Sequence, residues 1–352
     1  MYRQIYLLVT FFLLLGSKTY SQNSISVFQD NLTTPNPMIT DGNDLYVGYY
    51  YSDKVVKFDL ANPNTPPIDV VTGVNRPYGL AIKDNMLYIS EFGGDKISKV
   101  NLTNTNTVLE TVLSNVNSPI GLEFIGNDLY IALEGDNKVS KIDVTQSSPQ
   151  LTDVVNVSSP FEIEVVDNQL YITERFTGKL IRFELNNSSA TSIVIAQGLS
   201  YPSGLASDGK QLFIAEAGAS KISKISTSVT NPTVSDAVTS HLLDYPSGLL
   251  MYNNIMYITD FFASAIFKVD LTNLSVSELS SIDQKEIRIY PNPAIDKLNI
   301  YNAPSQEYKI FDMTGRVINS GTLERNSINV SQLSSGNYIL KTGEITKKFI
   351  KK

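Results

Sequence analysis

Three glutamates stand where a regular pattern would place other residues. Glu123 and Glu164 fall at a position that equivalent stretches fill with Ile39, Ala81, Ala206 and Leu250, and Glu162 replaces a glycine two places before Glu164. Carboxylates crowded together repel, and a proton or a bound cation relieves that repulsion. Glu123 and Glu164 are therefore candidate metal ligands, with Glu162 beside them. The alternative is a solvated polar channel without a ligand. A second set of residues could bind through contact. Tyr50, Tyr78, Phe92, Phe176, Phe261 and Phe262 lie in loop-like segments, with Arg175 among them. Tyr51, Arg76, Phe161, Tyr201 and Tyr245 share those segments. Exposed aromatic residues cost solubility unless they pack or bind, and their rings can stack on sugars or clamp a peptide. Packing between neighbouring units explains the group equally well and is the better reading for any single ring. No catalytic residue is assigned. His241 is the single histidine, in a polar segment without a neighbouring motif, and there is no phosphate-cradling glycine loop and no Cys/His metal set.

The elements that must position these residues form a repeat. Prolines 35, 77, 119, 160, 202 and 246 open six copies spaced 41–44 residues apart. Ten residues after each proline a Leu-Tyr-Ile-like run begins, at Leu45, Leu87, Leu129, Leu170, Leu212 and Met256. Turns rich in Asp, Asn and Gly, such as Asp84-Asn85 and Asp208-Gly209, separate the first two runs of each copy. Four short strands per copy, repeated round a ring, make a blade of a β-propeller, so six blades are expected. Innermost strands then line a central channel that holds Glu123, Glu162 and Glu164, and the aromatic loops gather on one face. The ring needs its ends joined. Ile25 to Gln29 is expected as the outer strand of the last blade, with Leu274 to Leu279 as the alternative. Glu91, Glu174, Glu216 and Asp260 end the second strands, with Glu134 one place late, and a lysine follows five residues on in most copies. An exposed structural ion pair is the expected role, with an acidic ring for cations or a sugar as the alternative.

Beyond Ser280 the period stops. Alternating strands with turns at Met313-Thr314-Gly315 and Ser334-Ser335-Gly336 imply a small antiparallel sandwich. The domain plan is a signal peptide at 1–21, a propeller at 22–280, a linker at 281–286 and the sandwich at 287–352. Arg3 followed by the apolar run Ile5 to Leu15 fits a secretory signal and is too short for a membrane span. The chain has no cysteine, which removes disulfides and a lipidated cysteine anchor. Its net charge of −7 and evenly spread cations speak against nucleic acid as a partner.

The Pro-x-Gly-Leu openings, the Leu-Tyr-Ile-x-Glu strand ends and the Lys-Ile-x-Lys strands resemble the six-bladed propellers of the NHL and gluconolactonase/regucalcin-like superfamily. Calcium lactonases of that superfamily imply Ca2+ in the channel, with an asparagine before the motif glycine as one ligand. Only Asn36 matches, and Pro37 follows it where glycine is expected. The terminal module resembles the type A sorting domain of the type IX secretion system of Bacteroidetes. That likeness rests on Tyr290-Pro291-Asn292-Pro293, on Gly315-Arg316, on Gly336-Asn337-Tyr338 and on the basic end Lys347 to Lys352. It implies the type IX machinery as partner, and a secreted or surface location. The functional expectation is a secreted propeller that binds a glycan, peptide or small molecule on its channel face. The alternative is a divalent-metal-dependent hydrolase or lactonase using the three glutamates.

Overall fold

The computed structural model describes residues 25–104, 107–185, 191–271, 288–301, 303, 305–323, 326–343 and 345–352. The expected signal peptide and the alternative closing strand at 274–279 lie outside them. The first repeat folds as one antiparallel sheet of Pro35–Asp41, Asp44–Tyr49, Lys54–Asp59 and Ile68–Thr72, in that order. Five more four-stranded sheets follow, and each inner strand touches the inner strands on either side, the last touching the first. The fold is a six-bladed β-propeller, with blades numbered 1–6 in chain order.

Blade 6 consists of Pro246–Tyr252, Ile255–Asp260, Ala265–Asp270 and, on its outside, Ile25–Gln29. The N-terminal strand thus closes the ring, pairing Ile25 with Val269 and Val27 with Phe267. One strand departs from expectation: the fourth run of the second copy reads as strand from Thr107 to Leu113, whereas the outer strand of blade 2 is Glu110–Ser114. Thr107 instead donates its hydroxyl to the Val70 carbonyl of blade 1.

Sequence alternation explains where the core lies. Second strands read apolar on both faces because both faces meet a neighbouring blade. Leu45, Leu87, Leu129, Leu170, Leu212 and Met256 are wholly buried. Tyr46 and Val55 of blade 1 pack with Leu87, Ile89 and Val100 of blade 2, and Tyr257 and Ile266 of blade 6 pack with Leu45 and Phe58 of blade 1. Each such side chain contributes about 1.5–3 kcal/mol on burial. At the channel wall the inner strands approach so closely that glycine is required. A Cβ on Gly79 would stand 2.1 Å from the Ile120 carbonyl oxygen, and one on Gly248 2.3 Å from that of Asn36.

The acids that end the second strands are buried rather than exposed. Glu91, Glu174, Glu216 and Asp260 are at most 5% accessible. Each accepts a backbone amide from the loop leading into its own blade: Asn75, Ser158, Ser200 and Asp244 donate at 2.8 Å. A carboxylate is the acceptor that can serve two or three such donors at once, which offsets its desolvation. Lys96 and Lys221 do approach Glu91 and Glu216, at 3.2 and 3.5 Å, but the amide contacts fix the loops. Glu134 is not a member of this set: Leu133 occupies the strand end in blade 3.

The C-terminal module has two sheets. One holds Arg288–Tyr290, Lys297–Tyr301 and Ser327–Asn329, and the other orders Val317–Thr322, Glu307–Phe311, Gly336–Thr342 and Ile345–Lys351. Leu298, Ile310, Val330, Leu340 and Phe349 fill the space between them. It is a small β-sandwich.

Gly79→Ala tests the channel wall. Overpacking of this kind costs about 1–3 kcal/mol, so a melting temperature several degrees below that of the parent is expected by calorimetry. An unchanged value would contradict the close approach.

Candidate functional site

Glu123 and Glu164 occupy the same register in blades 3 and 4, opposite Tyr130 and Tyr171 of the adjacent strands. Glu162 lies two residues nearer the loop face. Its Oε1 accepts from the Ile163 amide at 3.1 Å, and it hangs over Gly121 of blade 3. Glu164 accepts from the Ser207 amide of blade 5. The ring therefore brings the three carboxyls within electrostatic reach of one another. Burial pushes Glu123 up to about 7. Glu162 is pushed up to about 8, by burial first and the Glu123 charge as well. Glu164 is driven well above the carboxylate range by burial, then by Glu123 and Glu162. Desolvation dominates, so a proton is the economical way to remove the charge.

Among the described residues no group of three or more acidic, histidine or cysteine side chains could hold a metal. The Asn36 side chain is buried and its amide nitrogen, a donor, has no partner. His241 is exposed on the loop before Pro246.

Above the carboxyls, the loop face converges on Arg175. The side chain leaves blade 4 and crosses the ring. Its Nη1 donates to the Tyr78 hydroxyl of blade 2 at 3.4 Å, and its Nη2 to the Tyr245 hydroxyl of blade 6 at 2.5 Å. The guanidinium lies 4.2 Å from the Phe161 ring centroid, a cation–π contact. Its Nε is buried without a partner. Rings extend the cluster in edge-to-face contact. Tyr78 meets Phe161, Phe92 and Tyr50 at 5.2–5.4 Å, and Tyr50 meets Phe261 at 5.7 Å. Phe262 packs on Tyr245 at 4.8 Å. The aromatic loops thus divide in two. Tyr50, Tyr78, Phe92, Phe161, Tyr245 and Phe261 pack together, whereas Tyr51, Phe176, Tyr201 and Phe262 remain 50–66% exposed.

Backbone geometry holds these loops. Arg76 and Tyr201, each just before a proline, take left-handed φ values of 53° and 48°. The Arg76 amide donates to Asp53 of blade 1 at 3.0 Å, which offsets the strain. Asp260 accepts from the Tyr245 amide at 3.0 Å and so sets the ring that Arg175 grips. Tyr245 and Phe161 were legible as loop aromatics. Their convergence on Arg175 was not, because no local pattern reports a contact across a ring.

In the terminal module the motif residues clamp the last strand. Asn292 Oδ1 accepts from the Ile350 amide at 2.8 Å. Ala294 donates to the Ile350 carbonyl and accepts from Lys352, at 2.7 and 2.9 Å. Pro291 and Pro293 flank Asn292, following the strand that ends at Tyr290. Gly315, at φ 86°, makes the turn before Arg316, whose Nε pairs with Asp312 at 3.2 Å. Tyr338 stacks on Phe349 and donates to the Ser334 carbonyl beside Gly336. The motifs around Asn292 and Tyr338 thus meet on the last strand, while Gly315 and Arg316 shape a hairpin turn.

The family described as "Secretion system C-terminal sorting domain" matches residues 288–352. The terminal module is a type IX sorting domain. The protein is thus exported, to the medium or the cell surface, and among the described residues no helix is long and apolar enough to cross a membrane. No curated protein matches the chain by sequence. Solved structures share the propeller. A putative gluconolactonase is 9% identical with TM-score 0.58, over 72% of this chain and 93% of that one. An auxiliary nutrient binding protein from Bacteroides thetaiotaomicron is 13% identical with TM-score 0.57, over 68% and 69%. A catalytically inactive virginiamycin B lyase from Staphylococcus aureus, with quinupristin, is 16% identical with TM-score 0.54, over 79% and 95%. At these identities the likeness shows a shared propeller fold and nothing finer. Enzymes and a binding protein share it, so fold alone does not decide activity.

Raised carboxyl pKa values make stability greatest at low pH and diminish it as pH climbs through the folded-state values, about 7 for Glu123 and about 8 for Glu162. The melting temperature should fall from about pH 5 to about pH 9. Glu164→Gln should raise it at the alkaline end and leave the acid end nearly unchanged; a flat profile in the parent would contradict the buried carboxyls. Asn292→Ala should weaken the sorting module by about 1 kcal/mol and reduce the exported fraction on immunoblots, with the propeller transition unmoved. Unaltered export and melting would contradict the clamp on the last strand.

Proposed function

We propose that this exported propeller is a binding protein whose ligand sits on the loop face, over the Arg175 cluster. The observation that carries this reading is the split among the rings. A packed layer across blades 1, 2, 4 and 6 supports exposed rings at Tyr51 and Phe262. Exposed rings on a rigid base offer apolar contact at little entropic cost, which is how recognition surfaces are built. The export address agrees, since a surface or secreted protein meets ligands outside the cell. A metal-dependent hydrolase finds less support, because the channel carboxyls form no ion-holding group among the described residues.

The test is a glycan and peptide array probed with the mature full-length chain, followed by titration of each hit with Tyr51→Ala and Phe262→Ala. Binding should weaken about tenfold, or 1.4 kcal/mol, in each variant, while melting stays within a degree or so of the parent. Hits that bind both variants as tightly as the parent would overturn the reading, as would an array without hits.

A further inference from the structure

Among the described residues, Arg175 is a cation sunk into the loop face without a carboxylate partner. Its polar side-chain partners are the Tyr78 and Tyr245 hydroxyls. Glu134 senses the arginine's charge but forms no ion pair with it. Of five guanidinium donors, two are spent on tyrosine hydroxyls and a third, Nε, is unsatisfied. A hydroxyl that accepts from arginine keeps its own proton to give. Burial pushes the Tyr78 hydroxyl upward in pKa, so it stays a donor. The centre of the loop face is therefore a cluster rich in donors whose cation has no carboxylate paired with it. An anion is the complement of such a cluster, and a planar carboxylate fits the guanidinium fork best.

The surroundings select the molecule that carries it. Peptides are commonly held by backbone hydrogen bonds to an open strand or loop. Here the loop backbone is already paired. The amides of Tyr50, Phe92, Arg175, Ala217 and Phe261 donate to the carbonyls of Thr34, Arg76, Ser159, Tyr201 and Tyr245. What remains exposed is ring surface, and Phe262 lies 4.8 Å from the Tyr245 ring that contacts the arginine. Ring faces next to hydroxyl donors suit a sugar. The propeller also carries 15 Lys and Arg against 27 Asp and Glu over residues 25–271. That field opposes a polyanion but acts weakly on one carboxylate, because salt screens it beyond about 8 Å.

We infer that Arg175, Tyr78 and Tyr245 receive the carboxylate of a single acidic sugar, a uronic acid within an otherwise neutral oligosaccharide, with Phe262 as the platform for its ring or the next one. This rests on the loop face being the binding face.

Calorimetric titration of the mature full-length chain with singly charged uronate oligosaccharides, and with the same compounds carboxyl-reduced to the alcohol, tests it. The acid form should bind at least about tenfold tighter. Arg175→Gln should abolish that preference, and Tyr245→Phe, which removes one hydroxyl and keeps the ring, should reduce it several-fold in a protein that is still folded at the temperature of the titration. Raised salt should weaken the acid form alone, and a polyuronate should bind no better than the short compound. Equal affinity for acid and alcohol, or a preference indifferent to Tyr245→Phe, would overturn the inference. If a neutral glycan or a peptide binds and depends on Phe262 but not on Arg175, the carboxylate inference fails while the binding face stands. If no ligand of any class binds, both fail.

Discussion

Backbone contact between successive inner strands is the constraint from which the other features follow. Gly79 lies against Ile120, Gly204 against Ser247 and Gly248 against Asn36. Hydroxyls on the second strands reinforce the contact: Ser90 donates to the Ile120 carbonyl, Thr173 to Ser203 and Thr259 to Asn36, at 2.6, 3.0 and 2.7 Å. These bonds start from blades 2, 4 and 6, while Gly48, Ala132 and Ala215 stand at the same register in blades 1, 3 and 5. The even blades also supply Tyr78, Phe161, Arg175 and Tyr245. A six-bladed ring thus has a threefold undertone, and the loop-face cluster is assembled from the blades that carry the extra hydroxyl.

Packing of the inner strands has a chemical consequence. Carboxyls buried at the channel wall lose solvation before they gain a partner. Burial raises the proton affinity of Glu123, Glu162 and Glu164. Arg175 faces the opposite problem a few residues nearer the loops, and spends its charge on tyrosine hydroxyls and a phenyl face. Buried acids elsewhere are satisfied structurally: Asp260 accepts three backbone amides, those of Asp244, Tyr245 and Ala263. The same side-chain chemistry therefore anchors loops at strand ends and gains proton affinity in the channel. The difference is the supply of backbone donors.

Much of the fold was legible in the sequence. Period, turn residues and strand alternation are local properties, and they led to six blades, to closure by Ile25–Gln29 and to a terminal sandwich. Local pattern misled where a contact partner lies elsewhere in the chain. The lysine five residues after Glu91 suggested an exposed pair, yet the decisive partner is the Asn75 amide, 16 residues earlier. Thr107 falls in the run expected as the fourth strand of blade 2, but its hydroxyl serves another blade. The site was legible as a set of residue types and not as an arrangement. Arg175 and Tyr245 are 70 positions apart, and Arg175 and Tyr78 are 97 apart. Only closure of the ring makes them neighbours.

That cross-ring contact is the claim on which the site depends, and a double-mutant cycle measures it directly. Arg175→Met and Tyr245→Phe, alone and together, can be compared by denaturant unfolding of the full chain. Residues in contact couple by about 0.5–3 kcal/mol, whereas distant ones add within about 0.3–0.5 kcal/mol. The structure predicts coupling in the first range. Additive effects would mean that blade 4 and blade 6 do not meet over the channel, and the loop-face site would lose its centre.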